Sequence, residues 1–363
     1  MNSFHYGERL GTISDRQFQA ALDRLQLGRF QKAEKTARGS LGQTIFLSST
    51  EGEYVMRGDP NPGQLQLEQF IIDHLHAYTG VPVPAPYHLD LSTDLFGWSY
   101  AIMPRLGGVH IDTEEMRNRL SADDERSIAR AFGRNLARMQ QFTADRPGLY
   151  VPHENGIVPL EQLYRDWLFG PVRDRYVDSF PVNDNPYRQW LYTKIRFWLE
   201  DAKKYSVITP EDRDWVERVL AASSGAFDSG WKPCFVMGDY KLDNVLFEQR
   251  GGDWEVSGAF DFTACGMGDG IADLPRAYAM YIDRDAPELA GQFMTGYWDS
   301  RSVRDTPDRG WTNRFRVHLI HERLLVWGYH KASGTVYWDD ACPFRQWMER
   351  YDEGMAGLQD IAR

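Results

Sequence analysis

Apolar and polar positions follow two different rhythms along this chain, and the change between them falls near residue 108. Before it, short apolar runs are broken by turn residues. GSLGQTIFL (Gly39–Leu47) sets two glycines ahead of an apolar run, and EGEYVMRGDP is a strand-like stretch closed by Gly58, Asp59 and Pro60. After Asn61, Pro62 and Gly63, the residues Leu67, Phe70, Ile71, His74, Leu75 and Tyr78 recur at helical spacing. VPVPAP cannot continue a helix, because proline lacks the N–H and restricts the residue before it, so it reads as an extended connector. WSYAIMPRLGG reads as a buried strand that stops at Pro104 and Gly107–Gly108.

After residue 108 the helical period takes over. Ser121 is placed as an N-cap, with Asp123, Asp124 and Glu125 in the first turn and Ile128, Ala131, Phe132, Leu136 and Met139 as the apolar face. Residues 160–220 are mostly helical by spacing and rich in tryptophan and tyrosine. CFVMGDYKLDNVLF then reads as strand, polar loop and strand, and Asn244–Phe262 as a hairpin with polar ends. The rest is helical again. The pattern predicts an α+β protein with a small N-terminal lobe (1–105), a connector near 104–108, and a larger, mainly helical lobe (106–363), with the hairpin at the junction.

Composition narrows the classes. The 363 residues suffice for two packed lobes, and 42% hydrophobic with 26% charged residues is ordinary for a globular chain. No apolar run is long enough to span a bilayer, and MNSFHYGERLGTISD lacks the basic and apolar pattern of a secretory signal. Three widely spaced cysteines make neither a disulfide framework nor a zinc site, so a cytoplasmic location is expected. A net charge of −11 argues against nucleic acid or an anionic membrane surface as partner, and is compatible with a cationic small molecule.

The candidate chemistry lies in Gly238-Asp239-Tyr240-Lys241-Leu242-Asp243-Asn244 and in Asp261-Phe262 beyond the hairpin. Phosphoryl transfer from a nucleoside triphosphate needs a carboxylate to orient the acceptor hydroxyl, oxygen ligands for a divalent metal, and a cation on the phosphates. Asp239 and Asn244 supply a base and a metal ligand one loop apart, and Asp261 supplies a second ligand. Lys241 stands two residues after the base, within reach of the transferring group. Arg57 offers a planar fork of donors to phosphate oxygens. Glu68 shares a helical face with Ile71, Ile72 and Leu75, and a carboxylate there is expected to pair, with Arg57 as its partner.

These stretches resemble the aminoglycoside phosphotransferase and choline kinase-like family, relatives of the protein kinases. The resemblance rests on MGDYKLDNVLF and GAFDFTACGMGDGIADLPR, and on YVMRGDPNPG, EQFIIDHLHAYTGVPVPAPY and YAIMPRLGG, in order and spacing. It implies a protein-kinase-like bilobal fold, Mg2+, ATP or GTP as donor, and O-phosphorylation of a small hydroxylated compound. It further implies that the Gly39, Ser40 and Gly42 loop covers the phosphates, and that Met103 and Arg105 lie where a hinge meets the base. Met237 stands where the family usually has histidine, Gly270 where it usually has proline, and Arg57 where many members carry lysine.

For the acceptor, an aminoglycoside-type antibiotic is placed first. Choline, a sugar, an amino alcohol or another antibiotic such as a macrolide stays open. A catalytically silent nucleotide-binding module is the reading of another class. A protein kinase is disfavoured, because no activation segment or Ala-Pro-Glu element follows Asp261. Asp166, Glu322 and Asp340 are candidate amine-binding acids. Trp298, Trp311, Trp327, Tyr329, Trp338 and Trp347 are expected mainly in the core. Asp243, Asp269 and Asp273 are assigned structural parts, with Asp273 starting or supporting a helix.

Overall fold

The computed structural model describes residues 9–36, 42–163, 185–228, 230–301 and 310–355. Gly39, Ser40 and Asp166 lie outside the described residues. The apolar runs of the N-terminal third form five antiparallel strands: β1 (Phe30–Lys35), β2 (Gln43–Ser49), β3 (Gly52–Asp59), β4 (His88–Asp90) and β5 (Ser99–Pro104). Their spatial order is β1-β2-β3-β5-β4. Arg57 on β3 faces Thr44 on one side and Ala101 on the other.

Each face of this sheet has its own cover. Helix α1 (Asp15–Leu25), closed by a Ser14–Gln17 capping box, packs Phe18, Ala21 and Leu22 against Ile45, Leu47, Met56, Tyr100 and Ile102. Neither α1 nor β1 was anticipated, since their apolar positions are few and the flanking residues polar. The opposite face, with Ala101 and Met103, joins Ile71, Ile72 and Leu75 of α2 (Pro62–Thr79). Asn61 caps α2, and Pro62 fits its first position, where no N–H is needed. The buried stripe of α2 runs Leu65, Glu68, Ile71, Ile72, Leu75 and Thr79, while Tyr78 is 70% exposed. Counting apolar residues misplaced Tyr78, because an acid and a threonine occupy the innermost line.

The larger lobe is built on α3 (Glu114–Arg117), α4 (Ala122–Met139), α5 (Leu160–Leu163), α6 (Pro186–Ala202), α7 (Pro210–Ser223), α8 (Leu274–Asp283), α9 (Pro287–Ser300), α10 (Trp311–Ser333) and α11 (Phe344–Met355). Ser121 caps α4 in a box with Asp124, and all five expected apolar residues of that helix are buried. Trp327 is fully buried, stacks on Trp338 with 5.2 Å between ring centres, and meets Trp347. Trp327 and Trp347 are helix-packing rings, half-buried Trp338 covers them from the segment after α10, and Tyr329 is exposed. No described helix is long and apolar enough to cross a membrane.

Two small sheets lie in this lobe. The strands β6 (Gly148–Val151), β7 (Gly156–Pro159), β8 (Cys234–Val236) and β11 (Gly266–Gly268) associate in the order β7-β6-β11-β8. The hairpin of β9 (Val245–Arg250) and β10 (Asp253–Ala259) stands beside the connector. Val109 and Phe247 exchange backbone hydrogen bonds of 2.8 and 3.0 Å, Ser257 Oγ donates to the Gly107 carbonyl, and Ala259 N–H donates to the Pro82 carbonyl. The hairpin therefore ties the segments on both sides of β5 to the larger lobe.

Candidate active site

Between β8 and β9 the chain makes a tight polar loop. Gly238 adopts φ +76°, and a Cβ there would meet the Ala264 carbonyl at 2.4 Å, so no larger residue fits this turn. Asp273 fixes the turn from below. Its carboxylate accepts the Met237 N–H at 2.7 Å and the Gly238 N–H at 2.8 Å. Burial pushes the Asp273 carboxyl up to about 7, against the pull of those two N–H groups. Asp273 stands at the N-cap position of α8, as expected, but its side chain makes no cap there and anchors the loop instead. The anchor works through the backbone of Met237, whose side chain is fully buried.

The same turn is secured further on. Asp269 accepts from Arg314 Nε at 2.8 Å and contacts His318 Nε2 at 3.2 Å, all three being buried. Burial alone would raise the Asp269 carboxyl, but His318 and Arg314 hold it below the usual carboxylate range.

Asp239 follows the turn, its side chain 24% exposed. Asn244 is buried and donates its amide to the Asp239 carbonyl at 3.0 Å and to Asp239 Oδ2 at 3.3 Å. Committing the nitrogen leaves the amide oxygen of Asn244 as its free coordinating atom. The hairpin then returns the chain to the same place. Phe260 N–H donates to the Asn244 carbonyl at 3.2 Å, and Val245 pairs with Ala259. Asp261 thus stands beside Asn244 although far from it in sequence. It adopts φ +68°, a left-handed conformation tolerated by aspartate, and its carboxylate is 37% exposed.

Arg57 reaches Asp261 from the small lobe. Its Nη1 donates to Asp261 Oδ1 at 3.3 Å, and its Nη2 lies 3.1 Å from Glu68 Oε1. Glu68 is 3% exposed, and Tyr87 Oη donates to its second oxygen at 3.1 Å. Burial raises the Glu68 carboxyl to about 7, with Arg57 opposing. Burial lowers and the charges of Glu68 and Asp261 raise the Arg57 guanidinium, with a net rise. The expected Arg57–Glu68 pair is present, and Tyr87 is a member that sequence reasoning missed.

Two cations face Asp239. Lys241 Nζ is 2.8 Å from Oδ2, and Arg276 Nε is 2.7 Å from Oδ1. Arg276 also reaches Glu322 Oε1 at 3.3 Å. Glu322 is gripped by Arg323 through Nε and, at 2.8 Å, through Nη2. It is thus already paired, and Asp340, on the surface, pairs with Lys331. Arg276 was not anticipated. Its sequence signal is a cation in the first turn of α8, against the helix dipole.

The remaining expected residues lie on the small lobe. Gly42 has φ +64° at the head of β2. Met103 is buried opposite Val55, two residues from Arg57 on the same face. The Arg105 guanidinium lies 4.0 Å from the centre of the Phe46 ring, and its N–H donates to the Glu53 carbonyl. Its side chain is therefore committed to the sheet.

No group of three or more histidine, cysteine or acidic residues that could hold a metal occurs among the described residues. One buried amide and one carboxylate that is 37% exposed, brought together by the hairpin, fit a Mg2+ that takes its other ligands from phosphates and water rather than an all-protein cage.

Residues 32–306 match the model of a family described as Phosphotransferase enzyme family. None of the curated proteins searched matches the chain. Among solved structures, a protein of Ralstonia eutropha JMP134 assigned to the aminoglycoside phosphotransferases is similar, with 16% identity over 97% of this chain and 96% of that one and a TM-score of 0.58. The GDP complex of an aminoglycoside 2'-phosphotransferase-IIIa has 14% identity over 96% and 97%, with a TM-score of 0.54. A macrolide 2'-phosphotransferase of Brachybacterium faecium has 17% identity over 94% and 97%, with a TM-score of 0.52. At these identities the likeness is one of fold: a kinase-like small lobe with an antiparallel sheet, joined to a helical lobe.

Proposed function

The chain belongs to the phosphotransferase enzyme family, and from that premise we propose that it moves the γ-phosphoryl group of ATP or GTP directly onto a hydroxyl of a small molecule. The observation that carries this reading is a chain of contacts across the two lobes: Asn244 donates to Asp239, the hairpin returns Phe260 and Asp261 to Asn244, and Arg57 from a strand of the other lobe reaches Asp261. Asp239 orients the acceptor hydroxyl and takes its proton as the new O–P bond forms and the bond to the nucleoside diphosphate breaks. Asn244 through its amide oxygen and Asp261 through its carboxylate would hold Mg2+, which when bound neutralises charge on the phosphates. Arg57, oriented by Glu68 and Tyr87, pairs with phosphate oxygens. Lys241 is within reach of the phosphoryl group in flight. Gly42, at the head of β2, offers a backbone N–H to the phosphates, and Met103 and Arg105 meet the base through their main chain, Arg105 by its carbonyl because its N–H is given to Glu53.

For the acceptor, the net charge of −11 supports an aminoglycoside-type cation. A neutral hydroxylated compound, such as a sugar or a macrolide, is a second reading, favoured by the two cations already facing Asp239. The experiment is nucleoside diphosphate release from Mg-ATP and Mg-GTP with kanamycin, hygromycin B, a macrolide, a sugar and choline. Stimulation by one acceptor, lost in Asp239→Asn with nucleotide binding retained, is expected. Full activity in that variant would remove Asp239 from its role.

A further inference from the structure

We infer that Arg276 is a positioning residue of the transfer, one that orients Asp239 from the helical lobe; this rests on the reading of Asp239 given above. A carboxylate offers two chemically equivalent oxygens, and only one can meet the acceptor. Here the two are not equivalent. Oδ1 is shut off from solvent and faces Arg276 Nε at 2.7 Å, as an ion pair rather than an aligned hydrogen bond. The exposed part of the side chain therefore lies on the Oδ2 side, where Lys241 Nζ and the Asn244 amide stand. Arg276 fixes the buried oxygen Oδ1, and the acceptor hydroxyl meets the carboxylate at Oδ2, which it shares with Lys241 and the Asn244 amide.

The guanidinium is itself fixed. Glu322 on α10 receives its Nη1, Arg323 grips Glu322, and Arg323 is held by Asp283 at 2.9 Å and by Tyr351 Oη at 3.1 Å. Charges alternate along this path from Asp239 to Asp283, across α8, α10 and α11. A loop carboxylate is thereby referenced to three helices, which hold a geometry more tightly than a loop does. Nothing in the helix itself calls for a cation in the first turn of α8, where the dipole opposes it. The fork is also specific: one guanidinium bridges Asp239 and Glu322, and a lysine ammonium lacks that planar reach.

The test uses water as acceptor, so that no acceptor need be known. Phosphate release from Mg-ATP and Mg-GTP is measured for the wild type, Asp239→Asn, Arg276→Met, Arg276→Lys, Glu322→Gln and the double variant Asp239→Asn/Arg276→Met. Arg276→Met should lower kcat about 100-fold, the scale of an ångström's misplacement, with the nucleotide KM within twofold. Arg276→Lys should fall between, and Glu322→Gln should lose less in the same direction. The double variant should be no slower than Asp239→Asn alone, because Arg276 acts through Asp239. Wild-type kcat in Arg276→Met, or losses that multiply in the double variant, would overturn the inference. So would a nucleotide KM rising in step with the loss of kcat, the mark of general disruption. Should Arg276→Met not fold, Arg276→Lys carries the same comparison. Asp239→Asn turning over like the wild type would overturn the functional reading and this inference with it, and where the wild type does not use water the same variants are compared with the acceptor that stimulates release. A loss in Asp239→Asn without one in Arg276→Met would overturn this inference alone.

Discussion

A side chain in this site is defined by what holds it more than by its type. Arg57 would be one surface cation among many if Glu68 and Tyr87 did not enclose it. Glu68→Gln keeps the shape and removes the charge, leaving Arg57 with Asp261 as its carboxylate partner; because burial already disfavours the charged Glu68, the loss should be modest near pH 7, about 1–2 kcal/mol for the weakened buried hydrogen bonds. Urea unfolding should show a lower midpoint with an unchanged slope. Arg57→Ala should raise the nucleotide KM between about 10- and 100-fold, the loss of one charge-assisted hydrogen bond of about 1.5–3 kcal/mol. An unchanged nucleotide KM would remove Arg57 from the phosphates. The Arg57–Glu68 pair was legible because a lone acid on an apolar helical face demands a partner. Tyr87 and Arg276 were not legible as members of the site, because a tyrosine after a proline connector and an arginine in an ordinary helix carry no spacing signal. Only the helix-dipole argument singles out Arg276.

At the scale of elements, a hairpin and a buried acid do the positioning. The hairpin was legible from its polar ends and alternating strands, and it is what brings Asn244 and Asp261 together. Asp261→Ala should weaken Mg-dependent nucleotide binding more than Asn244→Ala, since a carboxylate gives the metal a full charge and an amide only a dipole. Calorimetric titration with and without Mg2+ checks this, and equal wild-type affinity in both conditions would contradict metal ligation here. Asp273 is read from the sequence as starting or supporting a helix, and it does stand at the N-cap position of α8, though without a side-chain cap. What decides its role is the pair of orphan N–H groups at Met237 and Gly238, which no sequence pattern announces.

That anchor has a pH signature. The Asp273 carboxyl is raised to about 7 in the folded chain, against about 3.9 when unfolded. Between those values the folded state binds a proton that the unfolded state has released, so stability falls as pH rises through roughly 4 to 7 and levels off above. A shift of about three units corresponds to about 4 kcal/mol across the window. Glu68, raised to about 7, adds a contribution of the same sign. Denaturant unfolding of the wild type at pH 5 and pH 8 should show the decline, and Asp273→Asn should flatten it. A slope unchanged in the variant would place the titration elsewhere.

On the scale of the whole molecule, the division into a mixed small lobe and a helical large lobe followed from the change of hydrophobic period near residue 108. The four-stranded β7-β6-β11-β8 sheet within the helical lobe did not, because its strands are three or four residues long and too short to establish an alternation. The net charge of −11 acts over the whole surface, but exposed charge is screened within about 8 Å at physiological salt. Local charge at Asp239, where Arg276 and Lys241 stand, therefore bears more directly on which acceptor docks. The central claim is chemical, and product analysis tests it most directly. Each candidate acceptor is incubated with Mg-ATP or Mg-GTP and examined by mass spectrometry and phosphorus NMR, with wild-type protein and with Asp239→Asn. The account predicts a phosphate monoester on one hydroxyl of an accepted compound with the wild type, and none with the variant. Equal phosphoester formation by Asp239→Asn, or nucleotide consumption that leaves every acceptor unmodified, would contradict it.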